Sequence, residues 1–119
     1  MKKYNLLILV VIFALLFTTC ALFTPYLTIS NNSGVDIYSV IWNGTKFDGL
    51  DKGHKKEEQV DPGNGYIFFK KGYGFSTREG RTQELVKVKD SEKKTFTFTD
   101  STMVIGTGVN SKPTTLLEF

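Results

Sequence analysis

The chain has 119 residues, and its 15 Lys and Arg residues outnumber its 12 Asp and Glu residues, giving a net charge of +3. Lys2 and Lys3 precede the first apolar run and every acidic residue follows Cys20, so the chain after Cys20 has 13 basic and 12 acidic residues, a net charge of +1. The basic balance therefore belongs mainly to the N-terminal segment, and no nucleic-acid partner is predicted from it. A single cysteine excludes an internal disulfide, and the length fits one small domain.

The first twenty residues follow the three-part plan of a secretory signal peptide. Two lysines come first, an unbroken apolar run extends from Leu6 to Phe17, and Thr18-Thr19-Cys20 follows. A helix of twelve residues would be about 18 Å long, whereas the hydrocarbon core of a bilayer is about 30 Å thick. The apolar run is therefore too short to be a comfortable membrane span by itself.

The four residues Phe-Thr-Thr-Cys at 17–20 resemble a lax lipobox, the cleavage motif of bacterial lipoproteins, in the loose form of spirochaetal lipoproteins. Phe17 stands where the usual motif has an aliphatic residue. The resemblance implies cleavage before Cys20 and a diacylglyceryl group on its sulfur. It also implies an extracytoplasmic protein of a bacterial cell envelope, anchored to the membrane by lipid. The predicted division is a signal peptide over 1–19, a tether over 20–25 and one domain over 26–119.

Two other fates of this segment remain open. No charged residue occurs from Tyr4 to Val35, so an uncut anchor helix could extend to Phe23 and end before Pro25. The protein would then have one membrane span and an extracytoplasmic β domain. Alternatively, cleavage by the general signal peptidase would leave Cys20 without a role.

From Tyr26 onward, short apolar runs at period two alternate with turn residues, which is the pattern of β-strands. No window after Cys20 has the apolar stripe of an amphipathic helix. The sequence therefore predicts an all-β fold, an antiparallel β-sandwich or small barrel of about eight short strands, preceded by the N-terminal signal or anchor helix. The predicted strands are 26–30, 36–42, 45–50, 66–70, 73–78, 82–89, 94–99 and 102–106.

Three of these segments predict local detail. Asn43-Gly44 between apolar runs favours a two-residue type I′ hairpin turn. In 94–99, strict alternation directs Phe96 and Phe98 inward and the threonines outward. In 36–42, strict alternation predicts Ile37 and Ile41 on one side and Tyr38, Val40 and Trp42 on the other, as in a central strand. The charged segment 51–58 is predicted to be a loop.

No catalytic, metal or cofactor site is predicted. His54 is the only histidine and lies in the charged segment, whereas a zinc site needs three or four nitrogen or sulfur ligands. The neighbouring acidic residues lack the spacing of a calcium loop. These acidic residues are Asp48, Asp51, Glu57, Glu58 and Asp61.

The aromatic segment 63–75 supplies the candidate binding face. If 66–70 pairs with 73–78 across a turn at Lys71-Gly72, then Tyr66 and Tyr73 come to lie on one face. We expect the phenylalanines of this segment to be core, since half the side chains of a sandwich strand face inward. The tyrosines suit a glycan or an envelope protein, because a tyrosine combines an apolar ring with a polar end.

The function expected from the sequence is a lipid-anchored, non-catalytic module for binding, adhesion or scaffolding. Its predicted partners are the membrane, through lipid on Cys20 or an uncut helix, and an envelope protein or glycan. The alternatives are a small extracytoplasmic hydrolase or enzyme inhibitor, and the single-span membrane protein.

Overall fold

The structure, a computed structural model, describes residues 24–72 and 74–119. The predicted signal or anchor helix, Cys20 and the beginning of the tether lie outside the described residues, as does Tyr73. The described residues contain eleven strands, which are β1 (Tyr26–Asn31), β2 (Ile37–Trp42), β3 (Thr45–Leu50), β4 (Lys55–Gln59), β5 (Gly63–Gly65), β6 (Ile67–Lys71), β7 (Arg78–Thr82), β8 (Val86–Val88), β9 (Lys93–Phe98), β10 (Met103–Gly106) and β11 (Thr114–Thr115).

The strands form three sheets, which confirms the prediction of an all-β fold. A six-stranded sheet has the order β11-β10-β7-β6-β2-β3, a three-stranded sheet has the order β4-β1-β9, and β5 pairs with β8. Every neighbouring pair is antiparallel except β1 and β9, which run parallel. Within the described part of the chain no helix is long and apolar enough to cross a membrane.

The buried side chains of all three sheets form one hydrophobic core. Leu27 and Ile29 enter it from β1, Ile67 and Phe69 from β6, and each is at most 2% exposed. The rings of Phe69 and Phe98 meet edge to face at a centroid distance of 5.5 Å, so the core joins the six-stranded sheet to the three-stranded sheet.

The two clearest local predictions are confirmed. Asn43 and Gly44 have φ angles of 45° and 82° between the paired residues Trp42 and Thr45, as a type I′ turn requires. In β9, Phe98 is fully buried and Phe96 packs against the core from a half-buried position, whereas Thr95 and Thr97 are exposed.

The side-chain alternation predicted for 36–42 is wrong, because β2 contains a β-bulge. Tyr38 pairs with Lys70 and Ile41 with Phe68, so β2 has two residues between these pairs where β6 has one. Ser39, within the bulge, has a φ of 50°. The extra residue shifts the phase of the strand. As a result Ile37, Val40 and Trp42 are all buried, while Tyr38 and Ile41 face outward.

Two predictions of segment type are also wrong. The charged segment predicted as a loop contains β4, an edge strand that pairs with β1, and charged residues are a common way of protecting such an edge. The predicted strand 73–78 is replaced by a 3₁₀ turn over Gly74–Ser76, and β7 begins only at Arg78. The hairpin connection after β6 is therefore longer than a Lys71-Gly72 turn.

Candidate binding face

The outward side of the six-stranded sheet has one continuous row of side chains. Register pairs link the strands in the order Ile105, Arg81, Phe68, Ile41 and Lys46, from β10 to β3. Phe68 is 42% exposed, although its neighbours Ile67 and Phe69 are buried. The row has the two adjacent apolar side chains Phe68 and Ile41 between the cationic side chains Arg81 and Lys46, on a sheet surface that would otherwise be expected to be polar. We call this row, together with Tyr66, the Phe68 face.

Tyr66 extends the Phe68 face beyond the row. It comes immediately before β6, and the guanidinium carbon of Arg81 lies 3.9 Å from the centre of its ring. A cation at this distance over a tyrosine ring is held by the ring's quadrupole. The Arg81 side chain also donates a hydrogen bond of 3.0 Å to the Thr82 carbonyl, which fixes the guanidinium in place.

A shallow cavity of about 270 Å³ lies next to Phe68. The Lys70 amine and the Glu79 carboxylate, 3.3 Å apart, border it on one side. Ile41 and the Phe68 ring provide its apolar wall, and Ser39 brings the β2 bulge to its edge. The cavity thus combines an apolar wall with both signs of charge, which suits an amphipathic group of a ligand.

Of the residues predicted for the binding face, the structure describes Tyr66 alone. It is half-buried and faces outward beside Arg81, and the shared face with Tyr73 remains a prediction. The expectation of core phenylalanines is wrong for Phe68 and for Phe75, which is fully exposed in the 3₁₀ turn. Phe68 could have been found from its alternation with Ile67. The position of Arg81 depends on strand register, for which the sequence has no signal.

The outward side of the three-stranded sheet has a different character. The Thr28 hydroxyl donates a hydrogen bond of 3.0 Å to the Glu57 carboxylate at a cavity of about 510 Å³. None of the described residues that line this cavity has a large apolar side chain. Hydroxyls and charges can both be hydrated in this open position. The side chains that line it are Thr28, Ser30, Lys55, Glu57, Thr95 and Thr97.

The charged segment that contains His54 does not form a cluster of metal-binding side chains among the described residues. His54 is exposed, and its carbonyl oxygen accepts a hydrogen bond from the main-chain N–H of Asn31. Asp48 pairs with Lys56 at 3.3 Å. Among residues 24–72 and 74–119, no three His, Cys, Asp or Glu side chains come close enough to hold a metal ion.

Lys71 and Arg78 hold the last residues of the chain against the sheet. The Lys71 amine donates 3.0 Å hydrogen bonds to the carbonyls of Leu116 and Leu117, and the Arg78 guanidinium donates to the Phe119 carbonyl. Burial lowers the pKa of the Lys71 amine below its usual 10.5, and the positive charge of Arg78 lowers it further. Lys71 thus has a positioning role within the fold.

Comparison with known proteins finds no matching family model, no curated protein and no solved structure. The functional argument therefore depends on the chemistry of the exposed surfaces.

Proposed function

We propose that the protein is a non-catalytic binding module of a bacterial cell envelope, held at the membrane by lipid on Cys20. The Phe68 face is its binding surface, and an envelope protein or glycan is its partner. The β-strands form a sandwich in which the six-stranded and three-stranded sheets enclose the core, leaving the Phe68 face exposed to a partner.

One observation supports the choice of surface. Phe68 and Ile41 are adjacent across two central strands, with Arg81 on the other side of Phe68. Aromatic and arginine side chains near the centre of a rigid surface are the groups that contribute most to binding energy. This side of the sheet has an excess of positive charge, since it has the three cationic residues Lys46, Lys70 and Arg81 and the one anionic residue Glu79. Such an excess favours an anionic partner.

The binding surface can be tested by site-specific photo-crosslinking in the full-length protein in its native membrane. A photoreactive side chain in place of Phe68 should give a discrete adduct with an envelope protein, or retain the protein on isolated cell-wall glycan. The same group in place of Phe75 is the matched control, since Phe75 is an exposed aromatic residue outside the Phe68 face. Equal yields at the two positions, or no adduct and no glycan retention at Phe68, would contradict the proposal.

The anchor requires a separate experiment. The intact mass of membrane-extracted protein should correspond to cleavage before Cys20 plus a diacylglyceryl group. Several acyl chains, at about 0.8 kcal/mol for each buried CH₂, hold a protein firmly at a membrane. Cys20→Ser should eliminate incorporation of labelled fatty acid, and label retained by that variant would exclude lipidation at Cys20.

A further inference from the structure

A second surface, separate from the Phe68 face, lies at the edge formed by β9. Among the described residues of the three-stranded sheet, β9 pairs with β1 on one side and with no strand on the other. The amide of Tyr26 donates to the Glu92 carbonyl and the amide of Asn32 to the Phe98 carbonyl, so the even-numbered residues of β9 direct their main-chain groups toward β1. Because these directions alternate along a strand, the N–H and C=O groups of Lys93, Thr95 and Thr97 point away from β1, toward the open side of β9.

The other outer strands of the two larger sheets have features that oppose pairing with another strand. β4 has four charged residues in five, and its Lys56 lies on the core side of the sheet, paired with Asp48. β3 is interrupted by register shifts, and its Asp48 has a φ of 58°. β11 has only two residues. In contrast, β9 pairs with β1 over six consecutive residues without a register shift.

A cavity of about 230 Å³ lies directly beside this edge. The half-buried ring of Phe96 and the side chain of Met103, which is 41% exposed, form its apolar walls. Thr97, whose main chain points away from β1, also lines it, with Glu84 and Thr102. A strand added along β9 would direct alternate side chains to the Phe96 side of the sheet, where this cavity can accept one of them.

The chain leading into β9 is positively charged. Residues 87–94 contain four lysines against Asp90 and Glu92, a net charge of +2. Lys87, Lys89 and Lys93 are exposed. The Lys94 amine is 3.9 Å from the Glu92 carboxylate, so one of the two acids is already paired. Acidic residues of a partner would therefore be favoured at this end of β9 and disfavoured near Glu84.

We propose that β9 binds an extended peptide segment of a partner protein, which adds to the three-stranded sheet as a fourth strand. The outward groups of Lys93, Thr95 and Thr97 form the main-chain hydrogen bonds. The cavity next to Phe96 takes one apolar side chain, and the lysines bind acidic residues at the Lys93 end. Main-chain bonds provide affinity in this mode, while the cavity and the charges provide selectivity.

The test uses the full-length protein and two fluorescent decapeptides of alternating valine and threonine, one with two glutamates at its N-terminus and one with them at its C-terminus. At least one peptide should bind saturably, and binding should slow hydrogen exchange at the amides of Thr95 and Thr97. Thr95→Pro removes an outward N–H without removing a bond to β1, and proline is tolerated at such an edge position. It should weaken binding about tenfold, the effect of losing one well-formed hydrogen bond.

Thr95→Ala is the matched control, since it removes the same side chain and retains the N–H, and it should bind as the wild type does. The thermal transition verifies that each variant is folded, and Thr97→Pro replaces Thr95→Pro if the latter unfolds. Equal binding by the proline and alanine variants, or no saturable binding of either peptide at millimolar concentration, would overturn the proposal. So would a wild-type dimer that Thr95→Pro converts to a monomer, because the edge would then pair with a second copy.

Discussion

Asn31→Leu should be strongly destabilising, although Asn31 belongs to neither proposed surface. Asn31 is fully buried at the end of β1. Its amide nitrogen donates to the carbonyls of Val35 and Leu50 at 2.8 and 2.9 Å. Its oxygen accepts from the amide and the hydroxyl of Ser33 at 3.1 and 2.5 Å. One side chain thus connects β1, the 32–36 loop and the end of β3.

The expected loss follows from the groups that leucine leaves without this partner. Val35 keeps a second donor, the Ser33 hydroxyl at 3.1 Å. The Leu50 carbonyl loses the Asn31 donor and the Ser33 amide loses its side-chain acceptor. Each unsatisfied buried group costs roughly 1–3 kcal/mol, so Asn31→Leu should lower the free energy of unfolding by about 3 kcal/mol. For a domain of this size that corresponds to a fall in Tm of about 15 °C.

Urea denaturation measures the first loss, and Asn31→Asp provides a pH-dependent test of its cause. A carboxylate at this position can accept from Ser33 but cannot donate to Val35 or Leu50, so the folded state favours the protonated acid and raises its pKa above about 3.9. The variant should therefore be most stable at low pH and lose stability as pH rises through the unfolded and then the folded pKa. Asn32→Asp, at an exposed neighbour, is the control. An unfolding free energy of Asn31→Leu within 1 kcal/mol of the wild type would refute the proposed role of the network.

Three further predictions concern single side chains. Gly44→Val should lower the free energy of unfolding, measured by urea denaturation, by about 1–3 kcal/mol, because φ at Gly44 is +82°. No described atom lies within 4 Å of the added Cβ, so the penalty is backbone strain alone, and an unchanged midpoint would contradict this. Phe98→Ala should lower the free energy of unfolding by about 3–5 kcal/mol in the same assay, and Phe96→Ala should lower it clearly less, since Phe98 is fully buried and Phe96 is only partly buried. Equal losses for the two variants would contradict the core assignment. Because the pKa of Lys71 is lowered by folding, the unfolded chain binds more protons than the folded chain in the alkaline range just below pH 10.5. The stability of the wild type relative to Lys71→Met should therefore rise with pH over this range, and a difference in Tm that does not change with pH would contradict this.

The parts of the fold that depend on local sequence could be predicted. Asn43-Gly44 specifies its turn because both residues accept positive φ, and 94–99 alternates so strictly that only one face of β9 can be buried. β4 escaped prediction because strand pairing uses main-chain groups, and Lys55–Gln59 has no apolar residue to indicate it. The burial of Asn31 was also not predicted, because the sequence Asn-Asn-Ser-Gly at 31–34 is typical of a turn.

The candidate surfaces were only partly predictable, for a related reason. Tyr66 was selected from its residue type, but its neighbour Arg81 is fifteen positions away and reaches it only through the register of β6 and β7. The open edge of β9 depends on which strands pair, and β1 and β9 are far apart in the chain. Long-range pairing of this kind leaves no periodic signal in a single sequence.

The β2 bulge adds Ile41 to the apolar part of the Phe68 face. With uniform alternation from Ile37, Ser39 and Ile41 would both be buried, and Val40 and Trp42 would face outward. The extra residue at Ser39 reverses the later half of the strand, so Trp42 is buried and its indole N–H donates to the carbonyls of Gly65 and Val86 at 3.2 Å. The same reversal turns Ile41 outward beside Phe68. Bulges often re-aim side chains at functional sites, and here a single irregularity both completes the core and exposes the apolar centre of the proposed binding surface.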